Sequence, residues 1–449
     1  MNRKFFIGCC AVILVVLIGF ATESLSGQEY HGVPHRDSYI NGDALMSAPD
    51  LAYRGNFAVG VRTLEVVDPD RIDIANYSEE NPDPRYDRPL TLEVWYPAVS
   101  QGKRPQLTTY SDVLGRGANN PDLPNTPFKF FGRALRRAKP DRNGGPYPLV
   151  IVSHGYPGSR VLMSYLPENL ASKGYVVVSI DHTDSTHADL SSFGNTLLNR
   201  TFDQLFVLNK MAELGTAKKH KSFLSGMVNA DQTAIIGYSM GGYGCLISAG
   251  AGVSEYFITA GFGTLVPGGF LRLLQAGTLE YEAILDPRIK AIVGFAPWGA
   301  HRGVWDAAAL ADIEVPSLLI DGDQDRIADF SGNQFIFDNL VNSDRYMLIY
   351  QGGAHNIAIN ALAPPVPDMS YTDFLHYQEP AWDLKRMNNI NQHFISAFLG
   401  IQLKGEAYED YLDLVPLSND SHQTDVNDPT YWTGFPRSTA INMEFHHRP

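Results

Sequence analysis

Gly237-Tyr238-Ser239-Met240-Gly241 decides how this chain is read. The apolar run Thr233-Ala234-Ile235-Ile236 precedes it, and Gly242-Tyr243-Gly244-Cys245-Leu246-Ile247 follows. A buried strand, a G-x-S-x-G turn and a helix together present a serine hydroxyl on a sharp elbow. Glycine two residues before and after the serine leaves room for neighbouring backbone. The serine then stands at a helix N-terminus, where free N–H groups can stabilise an oxyanion. The plainer alternative is a glycine-rich turn with a capping serine.

A serine hydroxyl is a weak nucleophile at neutral pH and needs a base oriented by a third group. Of the 13 histidines, His355 alone combines a place directly after the last strand with a glycine-rich loop, Gly352-Gly353-Ala354-His355-Asn356. It also follows the acid candidates in the chain; His154, His182, His187, His301 and His376 compete less well. The acid is expected in Asp321-Gly322-Asp323-Gln324-Asp325-Arg326, after the strand at 317–320. Asp325 is favoured because that spacing lets its side chain turn back toward the histidine, and Asp323 is second. The same run opens like a calcium loop, but Arg326 and Gly332 stand where such a loop needs glycine and glutamate. Met240 supplies one oxyanion N–H by position. The loop Ser153-His154-Gly155-Tyr156-Pro157-Gly158 offers the other, at Tyr156, with His154 ordering the loop.

With 449 residues, 44% hydrophobic and 11% aromatic, the chain can bury a sizeable core. A formal net charge of −14 argues against nucleic acid and anionic membrane surfaces as partners. Residues 1–27 read as a signal peptide: Arg3 and Lys4, an apolar run at 5–20, then small residues at 24–26. This implies a secreted or periplasmic protein with no stable span after cleavage; an uncleaved anchor is the alternative, and lipidation at Cys9 a weaker one. Outside the leader only Cys245 remains, so no internal disulfide forms, and this cysteine reads as a small buried residue.

Residues 28–89 read as an N-terminal extension and first strand, 90–400 as the catalytic domain, and 401–449 as a tail with room for a strand or helix but no clear motif. Strands are expected at 59–67, 90–96, 149–152, 175–180, 289–295 and 345–350, besides those already named. Helices are expected at 162–173, 201–214 and 381–399, with a short one at 130–137. Strands alternating with helices predict an α/β fold with a doubly wound, mainly parallel sheet and active groups at its carboxyl edge. Residues 252–286, apolar and hinged by glycine, interrupt that rhythm. They read either as a lid-like insertion or as an extra helical pair packed on the sheet.

The order Ser239, Asp325, His355 is that of the α/β-hydrolases. Residues 152–160, 170–177 and 180–186, with 92–97 and the Arg200…Asp203 pair, resemble the dienelactone-hydrolase-related branch. That branch includes bacterial relatives of platelet-activating-factor acetylhydrolase, and the likeness covers roughly 90–400. It departs at the acid. The animal acetylhydrolases carry theirs after the strand ending at Phe295-Ala296-Pro297-Trp298, where this chain has no aspartate. The acetyl-phospholipid substrate is therefore not carried over. Tyr156, Ser239-Met240, Ala296-Pro297-Trp298, Asp325 and His355 also fall in the order seen in bacterial cutinases and polyester hydrolases. There the matches of Tyr156 and Trp298 flank the acyl group. By that resemblance Tyr156 and Trp298 bind substrate; a core tryptophan is the other reading of Trp298.

The expectation is a serine carboxylic ester hydrolase for small-molecule or lipid esters, needing no cofactor or metal. Polyester, cutin-type or lipase activity is the near alternative, and a peptidase or amidase on the same triad the next. A binding protein on a hydrolase scaffold would show a broken triad. Oligomeric state is not legible.

Overall fold

The aliphatic runs expected as buried strands line up side by side in the computed structural model, which describes residues 39–100, 102, 107–114, 126–361 and 376–449. The expected signal peptide and the start of the extension lie outside the described residues. Residues 40–449 form a single packing unit.

The chain opens with β1 (Ala58–Ile72) and β2 (Arg85–Ala98), then β3 (Thr108–Leu114), β4 (Thr126–Gly132) and the short β5 (Leu135–Arg136). There follow β6 (Tyr147–Ser153), α1 (Tyr165–Ser172), β7 (Val176–Asp181), α2 (Phe193–Thr216), β8 (Val228–Tyr238) and α3 (Met240–Ser248). After α4 (Glu255–Thr259) and α5 (Leu279–Glu282) come β9 (Ile289–Phe295), α6 (Ala307–Ala311), β10 (Ser317–Gly322) and α7 (Phe330–Asn339). The last elements are β11 (Arg345–Tyr350), α8 (Leu384–Lys404) and β12 (Met443–Arg448).

Ten strands form one sheet in the order β12-β11-β10-β9-β8-β6-β7-β2-β1-β5. Pairing is parallel from β7 through β6, β8, β9 and β10 to β11. It turns antiparallel where β2 meets β7 and β1, and where β12 closes the other edge. Successive side chains on a strand point to opposite faces. Val150 and Val152 thus join one core with α1 and α8, through Leu166, Leu170, Met387 and Phe394. Leu149 and Ile151 join the other with α2 and α3, through Leu208, Met211, Leu246 and Ile247. Helices cover both faces, as expected for a doubly wound sheet. β7 lies on one side of β6 and β8 on the other, so the winding reverses at β6. A crevice opens at such a switch point, beyond the carboxyl ends of the strands. Ser153 and Tyr238 end the two strands that flank it.

One local expectation is corrected. The helix expected at 130–137 is instead the end of β4 and all of β5: β4 pairs with β3, and Phe128 and Phe130, two residues apart on one face of the strand, pack on Tyr377 and Tyr110. The tail supplies a strand: Met443 and Phe445 of β12 are buried, and the Phe445 ring stacks on Phe394 at 4.8 Å. The 252–286 insertion is packed rather than loose along much of its length. Phe257, Val266, Leu271, Leu274 and Tyr281 sit in the α2/α3 core, and the Tyr281 hydroxyl donates to the Ile247 carbonyl at 2.5 Å.

Candidate active site

Ser239 sits between β8 and α3 with φ 53° and ψ −112°. A non-glycine residue held there stores about 1–3 kcal/mol of strain and persists only where its surroundings enforce it. They do so here through the main chain. Ser239 N–H donates to Phe295 O at 2.9 Å, and Trp298 N–H donates to Ser239 O at 3.1 Å, so the exit of β9 clamps the elbow from both sides. A Cβ on Gly237 would collide with the Gly241 carbonyl, and one on Gly241 with the Ser153 carbonyl. The spacing that singled out the motif is thus a steric requirement of the turn. Met240 begins α3, and the first N–H groups of a helix have no intrahelical acceptor. Gly155 is less tightly confined: a Cβ there would lie 3.3 Å from that of Ser239.

His355 Nδ1 lies 2.7 Å from Asp325 Oδ2. Asp325 is 2% exposed, and its other oxygen accepts the N–H groups of Ile327 at 2.7 Å and Ala328 at 3.0 Å. Burial alone would push this carboxyl up. The hydrogen bond and charge of His355, with those N–H groups, outweigh it and hold the carboxyl below its ordinary value. Asp323, the second candidate, turns elsewhere and accepts the Gly352 N–H at 2.8 Å. Sequence reasoning missed several supports of this corner. Asp321, buried beneath, is pushed well above the carboxyl range by burial and then by the charge of Asp325. Glu379 accepts the Ala354 N–H at 2.8 Å, and Tyr238 donates to Asn356 Oδ1 at 3.1 Å, so the histidine loop is tied at both ends.

Ser239 and His355 border one cleft of about 460 Å³ with Gly155, Tyr156, Tyr238, Asn356, Gln324, Arg326, His187 and His376. The Tyr156 hydroxyl donates to Ser191 O at 2.9 Å, and its ring meets Phe193 edge-on at 5.0 Å. Trp298, 8% exposed, stands one ring further back, edge-on to Phe193 at 5.2 Å and to Phe262 of the insertion at 5.6 Å. Among the other histidines, His154 and His182 are buried outside the cleft and His301 packs on Trp298. Cys245 is buried and unpaired. Among the described residues, no three His, Cys, Asp or Glu side chains converge as a metal site. No helix among them is long and apolar enough to cross a membrane.

A further cluster lies behind the oxyanion loop, and the sequence showed its members only in pieces: Ser153 in the loop motif, His182 among the competing histidines and the Arg200…Asp203 pair by resemblance. Ser153 Oγ and His182 Nε2 are 2.8 Å apart, and His182 Nδ1 and Asp203 Oδ2 are 2.9 Å apart. Asp203 also accepts Arg71 at 3.0 Å and Arg88 at 2.9 and 3.0 Å. Burial opposes its ionisation, but Arg88, Arg71 and His182 hold it well below the usual range. Burial, then the charge of Arg200, draws the His182 imidazole down to about 3.

The family described as PET hydrolase-like matches residues 136–256, which carry both Tyr156 and Ser239. Cutinase est1 of Thermobifida alba is 27% identical over 202 residues, 45% of this chain and 50% of that protein. A cutinase of Thermobifida fusca (strain YX) is 25% identical over 235 residues, 51% of this chain and 56% of that protein. The chain therefore spans about half the length of these relatives. Among solved structures, a ferulic acid esterase from Streptomyces cinnamoneus superposes with a TM-score of 0.51 at 19% identity, over 80% of this chain and 94% of that one. The fold is that of the α/β-hydrolases, and the segment holding the elbow has cutinase- and polyester-hydrolase-like sequence.

Proposed function

We propose that this chain is an exported carboxylic ester hydrolase of the cutinase- and polyester-hydrolase-like kind, working through an acyl-enzyme on Ser239. The observation that carries the reading is the 2.7 Å pair of Asp325 and His355 beside a serine on a strained elbow, in one cleft. Asp325 accepts the Nδ1 proton, which leaves Nε2 of His355 free to take the Ser239 proton as Oγ attacks the ester carbonyl. The tetrahedral oxyanion is held by the N–H groups of Tyr156 and Met240. The carbon–oxygen bond to the alcohol then breaks, and His355 returns the proton to the departing oxygen. Water repeats the cycle on the acyl-enzyme and releases the acid. Tyr156, backed by Phe193 and Trp298, forms the acyl-side wall. The catalytic domain spans 90–400, the 252–286 insertion stands behind the acyl-side wall through Phe262, and export rests on the leader pattern at 1–27.

Hydrolysis of p-nitrophenyl esters from acetate to palmitate, beside Ser239→Ala, tests the reading. Serine-dependent turnover supports it, and a folded wild type inert to every ester overturns it. Acid release from a polyester film then separates the polymer-directed form of the reading from one limited to small esters.

A further inference from the structure

Arg200, on α2, is 1% exposed, yet among the described residues no carboxylate accepts its hydrogen bonds. It donates to His154 O at 2.9 Å, Gly155 O at 3.3 Å and Ser185 Oγ at 2.5 Å. Its Nε is buried without a partner. Burial draws the guanidinium down to about 9, Asp203 opposing and Arg88 reinforcing the fall. Burying a cation without a paired carboxylate is costly, and here its hydrogen bonds to main-chain carbonyls and Ser185 are what offset that cost. His154 adds a second grip. Its Nε2 accepts the His182 N–H at 3.3 Å, so the proton resides on Nδ1, which donates to Gly155 O at 2.7 Å. On the nucleophile's side the helix makes room, since a Cβ on Gly244 would lie 2.6 Å from Arg200 Cγ.

The bond from Gly155 to Tyr156 is trans, so its carbonyl and N–H point in opposite directions. We propose that Arg200 is a positioning residue for the oxyanion hole: by holding the Gly155 carbonyl on the α2 side, it turns the Tyr156 N–H toward Ser239. The inference rests on the hydrolase reading above. A cationic donor on the carbonyl also polarises that amide and strengthens its N–H as a donor to developing negative charge. Asp203, His182 and Ser153 tie the end of β6 to the same helix. The arrangement acts only when charge appears on the substrate oxygen, so it bears on turnover rather than on substrate binding.

The test compares wild type, Arg200→Met, Arg200→Lys and Ser185→Ala on p-nitrophenyl butyrate. Active sites are titrated with a fluorophosphonate, and inhibition by a boronic acid reports the tetrahedral adduct. Arg200→Met should lower kcat per titrated site about 10²-fold, with KM within about twofold. Boronic acid affinity should fall in step with kcat/KM. Arg200→Lys should recover about tenfold of that loss, and Ser185→Ala, the mildest change, should lose about threefold in kcat. Unchanged kcat per titrated site in the variants, with activity lost only through fewer titratable sites or a raised KM, overturns the inference and leaves the esterase standing. A wild type inert to esters overturns both.

Discussion

Two Ser-His-Asp constellations stand on neighbouring strand ends of this protein. Ser239, His355 and Asp325 gather at a cleft, with 12% of the His355 side chain exposed. Ser153, His182 and Asp203 repeat the residue types with contacts of 2.8 and 2.9 Å, but none is more than 2% exposed. The carboxylates differ most. Asp325 faces main-chain N–H groups and one imidazole, whereas Asp203 is gripped by two guanidinium groups. The second histidine is held neutral by burial and then by Arg200, and with its two ring nitrogens engaged by Ser153 and Asp203 away from the cleft it orients a strand end. Residue types at hydrogen-bonding distance do not make a catalytic site. Access to a cleft is also required.

The contrast should be largest in turnover. Ser239→Ala is expected to lower kcat/KM by about 10⁴-fold or more, while Ser153→Ala loses about tenfold or less and still reacts fully with a fluorophosphonate. Equal losses at the two serines would break the comparison. The acids should separate by kind of damage. Asp325→Asn is expected to cost about 10⁴-fold in kcat through the wrong imidazole tautomer, with the urea midpoint little changed. Asp203→Asn is expected to cost about 3–5 kcal/mol of stability, because Arg71 and Arg88 are left buried beside a neutral amide. Urea denaturation read beside kinetics distinguishes them; a stable but inactive Asp203→Asn would reverse the assignment.

The same contrast explains what could be read from the sequence. The cleft constellation was legible because each member carries a local signature: glycines that the elbow sterically requires, a glycine loop after β11, and a carboxylate placed after β10. The buried constellation draws Arg71, Arg88, His182, Arg200 and Asp203 from four separate elements or their ends. Arg71 and Arg88 look like solvated surface residues until the fold brings them together, whereas His182 and the Arg200…Asp203 pair were visible through the family resemblance but not as one cluster. Asp321 and Glu379 were missed for the same reason. The strand β12 was legible in principle, since Met443 and Phe445 alternate with Glu444 and His446 at period two. Its partner β11 lies about ninety residues upstream, and a single short strand at the end of a polar tail carries little local weight.

Burial of neutral histidines also predicts how the fold responds to acid. His182 and, in the opposite core, His393 are both drawn down to about 3, by burial first and then by Arg200 and Lys173 respectively. Unfolding returns each to about 6.5, so between those values the unfolded chain binds more protons than the native one. Stability therefore falls as pH drops below about 6.5, with a slope approaching about 1.4 kcal/mol per pH unit for each such histidine. Urea midpoints at pH 7 and pH 5 measure this. His393→Gln should flatten the dependence by about one histidine's share, and an unchanged slope would remove His393 from this account.

The smallest effect expected lies where the insertion meets the aromatic residues behind the cleft wall. Phe262 is 36% exposed and its ring stands edge-on to Phe193 at 5.7 Å and to Trp298 at 5.6 Å. Phe193 in turn meets Tyr156, so a continuous aromatic path runs from beside Ser239 to the surface of the 252–286 segment. Much of that segment is anchored in the core, and removing it whole would confound specificity with folding. Phe262→Ala changes the exposed end alone. If the path contacts long acyl chains, losing one ring contact of about 1 kcal/mol should raise KM for palmitate about fivefold. Acetate, too short to reach it, should be unaffected, and kcat should hold for both. The palmitate-to-acetate ratio of kcat/KM in the variant decides between the two readings of the insertion. A lowered ratio makes it a substrate wall, and a constant ratio leaves it as helical packing on the sheet.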